Sequence, residues 1–266
     1  MSTDFEPFIS DKKEMLTTSL ASRNDLLRDL LGIPGSSNYL FPELKIVPLT
    51  VNQVLYEQGD KIDFVYFPLD SVISELAIME DGTTMETSMV GRDGLVGISA
   101  VLGSEVSRQW MSVTVGGSAI QLEARLLDKM FVHNELSLKL LLRCYRSLVT
   151  QVSQRCVCNT RHTILDRLCC WLLMIHDCVG GANLRLTQEM IASRVGARRA
   201  GITVAAGMLQ DMQAIGYRRG QLHIRSRELL EATVCECYGL IQADFKRSGE
   251  NTLFHPFTIN KQASDA

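Results

Sequence analysis

The chain has 266 residues, 46% of them hydrophobic and 21% charged, with a net charge of −3. These values describe a globular chain of one large or two ordinary domains and exclude a disordered one. No apolar run approaches the ~20 residues of a membrane helix, and the opening MSTDFEPFISDKKE lacks the basic-then-apolar order of a secretory signal, so a cytoplasmic location is expected.

Residues 1–22 are polar and weakly patterned and are expected to form a flexible arm. RNDLLRDLLGIPG then spaces its leucines for a short amphipathic helix, stopped by Gly32 and Pro34. From Leu44 to Leu122 the texture changes to short β-rich runs such as KIVPL, DFVYFP, SVISELAIM and SAIQL. Turn signals separate them, and Asp81-Gly82 suits a tight hairpin. Many short strands with regular turns predict a sandwich or barrel-like β domain over 23–133.

Residues 134–160 predict one long helix. Leu138, Leu141, Tyr145, Leu148, Val152 and Arg155 follow the alternating three- and four-residue spacing of a coiled-coil seam. Leu136 and Leu140 lie off that seam and are available to pack on the β domain, which leaves the seam for a second chain. The alternative is that the seam itself packs on the β domain.

NTRHT is expected to break this helix, with Thr163 and Asp166 spaced as a capping box. ILDRLCCWLLMIHDCV is apolar on most of its surface, so Trp171 is assigned to the core, and Gly180-Gly181 ends the helix. LTQEMIASRVG reads as a short helix with Thr187 as N-cap; Gly196 turns the chain, and a second helix starts near Arg198. Two helices across a short Gly turn make a helix-turn-helix. Ala192, Ala205 and Ala206 are small where the helices cross, and Ile202, Leu209 and Ile215 supply the buried side. IGYRRGQLHIRS then alternates around Gly220 like a hairpin wing.

Charge supports this reading. Between Arg185 and Arg227 there are eight arginines and only two acids, Glu189 and Asp211, on a chain that is acidic as a whole. Such a concentration of positive charge suits nucleic acid, although a solvated basic face has the same composition. Arg198 and Arg199 at the start of the second helix are placed for bases or phosphates, and Arg218 and Arg219 at the wing tip for phosphates. Thr187 and Gln188, at the start of the first helix, complete the candidate DNA-contacting set.

The ordered set of VLYEQGD in the β domain, the long seam helix and LTQEMIASRVGARRAGITVAAGMLQDMQAIGYRRGQLHIRS resembles the CRP/FNR superfamily of bacterial transcription regulators. The resemblance spans about residues 23–240. It implies an α+β fold: a jelly-roll-like, cyclic-nucleotide-binding-type β-roll, a dimerisation helix over 134–160, and a winged helix-turn-helix over 161–240, followed by a tail over 241–266. The implied partners are double-stranded DNA with a roughly palindromic site, a second copy of the chain, and RNA polymerase.

Two departures limit what carries over. Members that bind cyclic AMP use a Gly-Glu pair and a later Arg-Ser or Arg-Thr; the matching positions here are Gly97-Ile98 and Arg108-Gln109. Ile98 cannot accept a ribose hydrogen bond, so cyclic AMP is not expected in the pocket marked by Gly97, Ile98 and Arg108, and the effector is left unnamed. In the recognition helix, familiar members carry a Glu and a further Arg where this chain has Ala200 and Val204. Their half-site therefore does not transfer.

All eight cysteines fall at or after Cys144, and none forms a CxxC, which disfavours the N-terminal iron–sulfur sensor of FNR-type relatives. Cys158 and His162 stand four apart, close enough on one helix to share a metal, but the expected break at NTRHT separates them, and Cys156 points elsewhere. Cys235 and Cys237, two apart, would face different ways on a helix. These residues are read as structural thiols with reversible oxidation as the rival, and no metal or cofactor is assigned. No Walker loop, GxSxG elbow or HExxH is present, so an enzyme is not expected. The competing function is a ligand-binding or protein-interaction module whose winged domain no longer reads DNA.

Overall fold

The computed structural model describes residues 19–36 and 40–249. A helical turn at residues 19–21 leads into helix α1, Asp25–Leu31. Asn24 starts it by accepting from the Leu27 amide at 2.9 Å, while its Nδ2 donates to the carbonyls of Pro68 and Gly94, each at 3.0 Å. One fully buried side chain thus caps the helix and ties it to the β domain. Ala21 is also fully buried in that core, so the segment expected as an arm over 1–22 includes a core residue. Residues 1–18 lie outside the described residues.

Seven strands follow: β1 (Lys45–Leu49), β2 (Val54–Tyr56), β3 (Phe64–Pro68), β4 (Val72–Ile78), β5 (Thr84–Val90), β6 (Trp110–Val115) and β7 (Gly117–Glu123). They form two antiparallel sheets, β1-β7-β3 and β2-β6-β4-β5, the double-sheet roll expected from the sequence. Leu49, Ile73, Val96, Val113 and Ala119 join the sheets through their inward faces. Between β4 and β5, Asp81 Oδ1 accepts from the Thr83 amide at 2.8 Å, closing the hairpin at the expected turn.

The strands β3 and β7 also bury Val65, Phe67, Ile120 and Leu122 against α1 and against α3, Ala124–His133. The intervening α2 is one turn, Ile98–Val101. Next comes α4, Glu135–Arg161, capped by Asn134; at 27 residues it is about 40 Å long. The break expected at NTRHT falls on its last two residues, His162 and Thr163. The helix runs through Arg161, and the His162 amide still donates to the Cys158 carbonyl at 3.1 Å.

The seam expected on α4 is only partly at its surface. Leu138, Tyr145 and Val152 are exposed, Leu148 is half-buried, but Leu141 is fully buried against the β-roll and Arg155 is buried in an ion pair. The exposed apolar stripe instead follows Leu138, Leu142, Tyr145, Val149 and Val152. Both lines alternate threes and fours, so periodicity alone did not distinguish them; the docking of α4 on its own β domain did.

The remaining chain is α5 (Ile164–Val179), β8 (Asn183–Arg185), α6 (Gln188–Val195), α7 (Arg199–Asp211), β9 (Ile215–Arg218), β10 (Gln221–Ile224), α8 (Arg227–Thr233) and α9 (Glu236–Gly249). The capping box of Thr163 and Asp166 opens α5, and Trp171 is buried as expected. A boundary at 240 falls inside α9, which packs along α4 and pairs Asp244 with Arg146 at 3.2 Å. The expected tail therefore starts no earlier than the end of that helix. No helix among the described residues is long and apolar enough to cross a membrane.

A buried polar network joins the β-roll to the helical half. Glu86 on β5 accepts from Arg155 Nη1 and from Trp171 Nε1, both at 2.9 Å, and from the Ser74 hydroxyl. Arg194 Nε lies 3.8 Å from the same carboxylate and donates to Thr114 at 3.1 Å. Strands β4, β5 and β6 and helices α4, α5 and α6 all contribute. A carboxylate this deep is stable only with such partners. Beside it, Gln151 of α4 accepts from the Met89 amide at 2.7 Å and donates to the Met89 carbonyl at 3.2 Å, acting as a neighbouring strand to the edge of β5.

Candidate nucleic-acid interface

The helix-turn-helix is α6 and α7. Thr187 caps α6 by accepting from the Met190 amide at 3.1 Å. Gly196 ends it in the left-handed conformation (φ 67°), where a side chain would also stand 3.1 Å from Met85 and 3.2 Å from Arg167. Arg167, from the first turn of α5, donates to the carbonyls of Val195 and Gly196 and holds the turn. Its role was not legible in the sequence, because it acts on backbone atoms nearly thirty residues away.

The small residues of α7 have a physical reason. A Cβ on Gly201 would lie 2.5 Å from Ile164 Cδ1, so any larger residue would have to push the tip of Ile164 aside where α7 passes the start of α5. Ala205 and Ala206 of α7 and Ala192 of α6 are buried, and Ile202, Leu209 and Ile215 are fully buried. The other side of α7 faces solvent.

Arg198 is the N-cap of α7, in extended conformation, and Arg199 its first helical residue; both are exposed. Down the same open face run Ala200, Thr203, Val204 and Met208, with Val204 62% and Met208 50% exposed. An exposed apolar line on a helix whose other side is fully buried is a surface shaped for a partner. Thr203 donates to Gln188 Oε1 at 3.0 Å and so fixes the side chain at the start of α6 beside α7.

The wing is the sheet β8-β10-β9. Its hairpin turns at Arg219 and Gly220, both at positive φ (52° and 75°), the two-residue turn that matches strand twist. Arg218 and Arg219 are exposed at the tip. Gln221 lies opposite both Arg185 on β8 and Arg218 on β9, so a third exposed arginine, Arg185, shares that face of the wing. Arg185 belongs to the basic stretch of the sequence, but only strand register gives it a place beside the wing tip. Tyr217 fastens the wing to the domain by donating to the Leu186 carbonyl at 2.8 Å, and burial raises its hydroxyl pKa while Arg199 pulls it down.

Not all of the basic stretch is open to a partner. Arg194 is buried beside Glu86, and Arg227 is held by Asp177 and Glu231, each at 2.7 Å. Arg225 is exposed but engaged, donating to Gln213 Oε1 at 2.5 Å. The other five arginines, 185, 198, 199, 218 and 219, point outward from α7 and the wing.

In the β-roll, Gly97 is the N-cap of α2, and Ile98 packs against the core shared by α1 and α3. Arg108 is exposed, and among the described residues no hydrogen bond joins it to Gly97 or Ile98; its neighbour Gln109 is engaged by Thr87 at 2.8 Å. The structure thus places an apolar core contact, with no hydrogen-bonding group, at Ile98.

Residues 166–233 match the model of the Crp-like helix-turn-helix domain. Among solved structures, FixK2 from Bradyrhizobium japonicum is similar, with 14% identity, a TM-score of 0.62, and coverage of 72% of this chain and 98% of that one. A CRP-family transcriptional regulator from Thermus thermophilus, TTHB099, gives 16%, 0.57, 70% and 95% in the same order. CLP of Xanthomonas campestris, a regulator responsive to c-di-GMP, gives 14%, 0.53, 70% and 95%. Among curated protein sequences none matches this chain.

Proposed function

From a chain that carries a Crp-like helix-turn-helix domain on the fold of the CRP/FNR transcription regulators, we propose a sequence-specific regulator that binds double-stranded DNA as a homodimer. The observation that carries the reading is the open face of α7 and the wing, where five outward arginines flank an exposed apolar line. In this reading α7 enters the major groove. Arg199, with Arg198, donates to guanine edges or nearby phosphates. Ala200, Val204 and Met208 contact thymine methyl groups, and Thr187, Gln188, Arg185, Arg218 and Arg219 position the domain on the backbone.

The stripe Leu138, Leu142, Tyr145, Val149 and Val152 is the surface offered to a second α4. Two-fold pairing places the α7 helices one helical turn of DNA apart, ~34 Å, so the site is a palindrome. A signal received by the β-roll reaches α7 through the Glu86 network, which ties β5 to α4 and α6. We do not assign cyclic AMP as that signal, since Ile98 is a core contact without a hydrogen-bonding group.

Selection of bound sequences from random duplex DNA by the full chain tests the reading. An enriched palindrome, with affinity that falls steeply with salt, is expected. Binding without sequence preference, or none at any salt or with any nucleotide effector tried, would favour a module that no longer reads DNA.

A further inference from the structure

Two pairs far apart in the sequence, Cys158 with His162 and Cys235 with Cys237, meet in space. Because α4 continues through Arg161, Cys158 and His162 sit one turn apart on one side of the helix end. Cys235 precedes α9 and Cys237 lies in its first turn, so the bend at the helix start turns both thiols to the same side. The Sγ atoms of Cys158, Cys235 and Cys237 and a ring nitrogen of His162 all lie within 4.8 Å of one another.

The spacing has a chemical meaning. A tetrahedral zinc ion with bonds of ~2.3 Å to sulfur and ~2.0 Å to nitrogen holds two sulfurs about 3.8 Å apart and a sulfur and a nitrogen about 3.5 Å apart. Here Cys158 Sγ and Cys235 Sγ are 3.7 Å apart, and Cys237 Sγ and His162 Nδ1 are 3.4 Å apart. Three thiols and one imidazole form a Cys3His set, which suits zinc by ligand softness and coordination number. An iron–sulfur cluster spreads its protein ligands over several irons and needs a wider cage.

The surroundings fit as well. His162 Nε2, the nitrogen that faces away from the cysteines, lies 3.4 Å from Glu236 Oε2, the carboxylate–histidine arrangement that orients a ligating imidazole. Gln154 Nε2 lies 3.2 Å from Cys237 Sγ, a donor toward the sulfur. Cys158 and Cys237 are buried, while Cys235 and His162 are partly exposed and give an entry path.

We propose that Cys158, His162, Cys235 and Cys237 bind a single zinc ion that clips α9 to the end of α4. Binding displaces the thiol protons to solvent, so three thiolates and a neutral imidazole surround the ion, and no electron is transferred. The clip lies where α4 hands over to α5, the junction on which the orientation of the winged unit depends. The neighbouring Cys156 is exposed, points off this cluster, and takes no part.

The test uses the full chain purified under reducing conditions. Metal analysis is expected to find zinc in a one-to-one ratio with chain. Exchange of the zinc for cobalt(II) is expected to give the intense thiolate-to-cobalt absorption and the visible bands of a tetrahedral centre. The variants Cys235→Ser and Cys237→Ser should lose most of the bound metal, while Cys156→Ser keeps it. The wild-type cobalt titration stands even if a variant fails to fold. Wild-type chain that retains no zinc and gives no thiolate–cobalt band would overturn the proposal, as would a Cys158–Cys235 disulfide that persists in chain freshly purified under reducing conditions.

Discussion

The inner and outer faces of α4 follow similar three- and four-residue steps and have opposite surroundings and opposite chemistry. Inward, Leu141, Gln151, Arg155 and Cys158 are buried by the β-roll, α6 and α9. Outward, Leu138, Leu142, Tyr145, Val149 and Val152 are apolar and exposed. The inner face also carries polar groups with defined partners, Gln151 on Met89 and Arg155 on Glu86, whereas the outer stripe holds only apolar side chains and the Tyr145 ring. A helix face committed to its own chain can use specific hydrogen bonds at fixed positions. A face that meets a copy of itself across a two-fold axis works best with self-complementary apolar residues.

The largest effect is expected at Leu141. Leu141→Asp places a carboxylate in the fully buried core of the β-roll and should cost more than about 4 kcal/mol, enough to abolish cooperative thermal unfolding. Arg155→Ala comes next. It leaves Glu86 buried without its main cation and should cost about 3–5 kcal/mol by chemical denaturation. Retention of full stability by either variant would mean that α4 does not dock as described.

The outer face should respond differently. Leu142→Glu combined with Val149→Glu should change the unfolding free energy of each chain by no more than about 1 kcal/mol. Sedimentation should nonetheless show monomers, and affinity for the selected palindrome should fall. A variant that remains dimeric would move the pairing surface elsewhere.

A pH dependence is expected beneath the inner face. Asp93 shares a crevice with Met89, Gln151 and Cys178, and burial raises its carboxyl from 3.8 to about 6; Asp25 and Asp177 also raise it, while Arg92 lowers it. The folded chain therefore holds this proton more tightly than the unfolded chain does. Its contribution to stability is full below pH 3.8 and is lost as pH rises through about 6. Asp93→Asn should flatten the fall in thermal midpoint across that window, and an unchanged profile would show that Asp93 titrates normally.

Interface variants refine the reading of α7. Arg199→Ala should cost about 1–3 kcal/mol against the selected site and relax preference at one base position, whereas Arg218→Ala should weaken all sequences evenly and reduce the salt slope by about 1. Equal behaviour of the two would place Arg199 on phosphate.

Local chemistry made much of the chain legible. The Asp81-Gly82 hairpin, the Thr163–Asp166 capping box, the Thr187 cap, the turn at Gly196 and the wing at Gly220 each depend on residues within a few positions of one another. Their backbone preferences and hydrogen bonds are settled locally, so spacing suffices to find them. The order of β-roll, long helix and winged helix-turn-helix followed from those signals.

What only the tertiary structure decided involves residues far apart in sequence. Glu86 needs Arg155, Arg167 holds a turn from another helix, and Cys158 meets Cys235 across 77 positions. The same holds for which face of α4 is inward, because a three–four repeat repeats almost unchanged one residue along the helix. Spacing fixes that a stripe exists; only the neighbour that buries one side of the helix fixes which stripe is left for a partner.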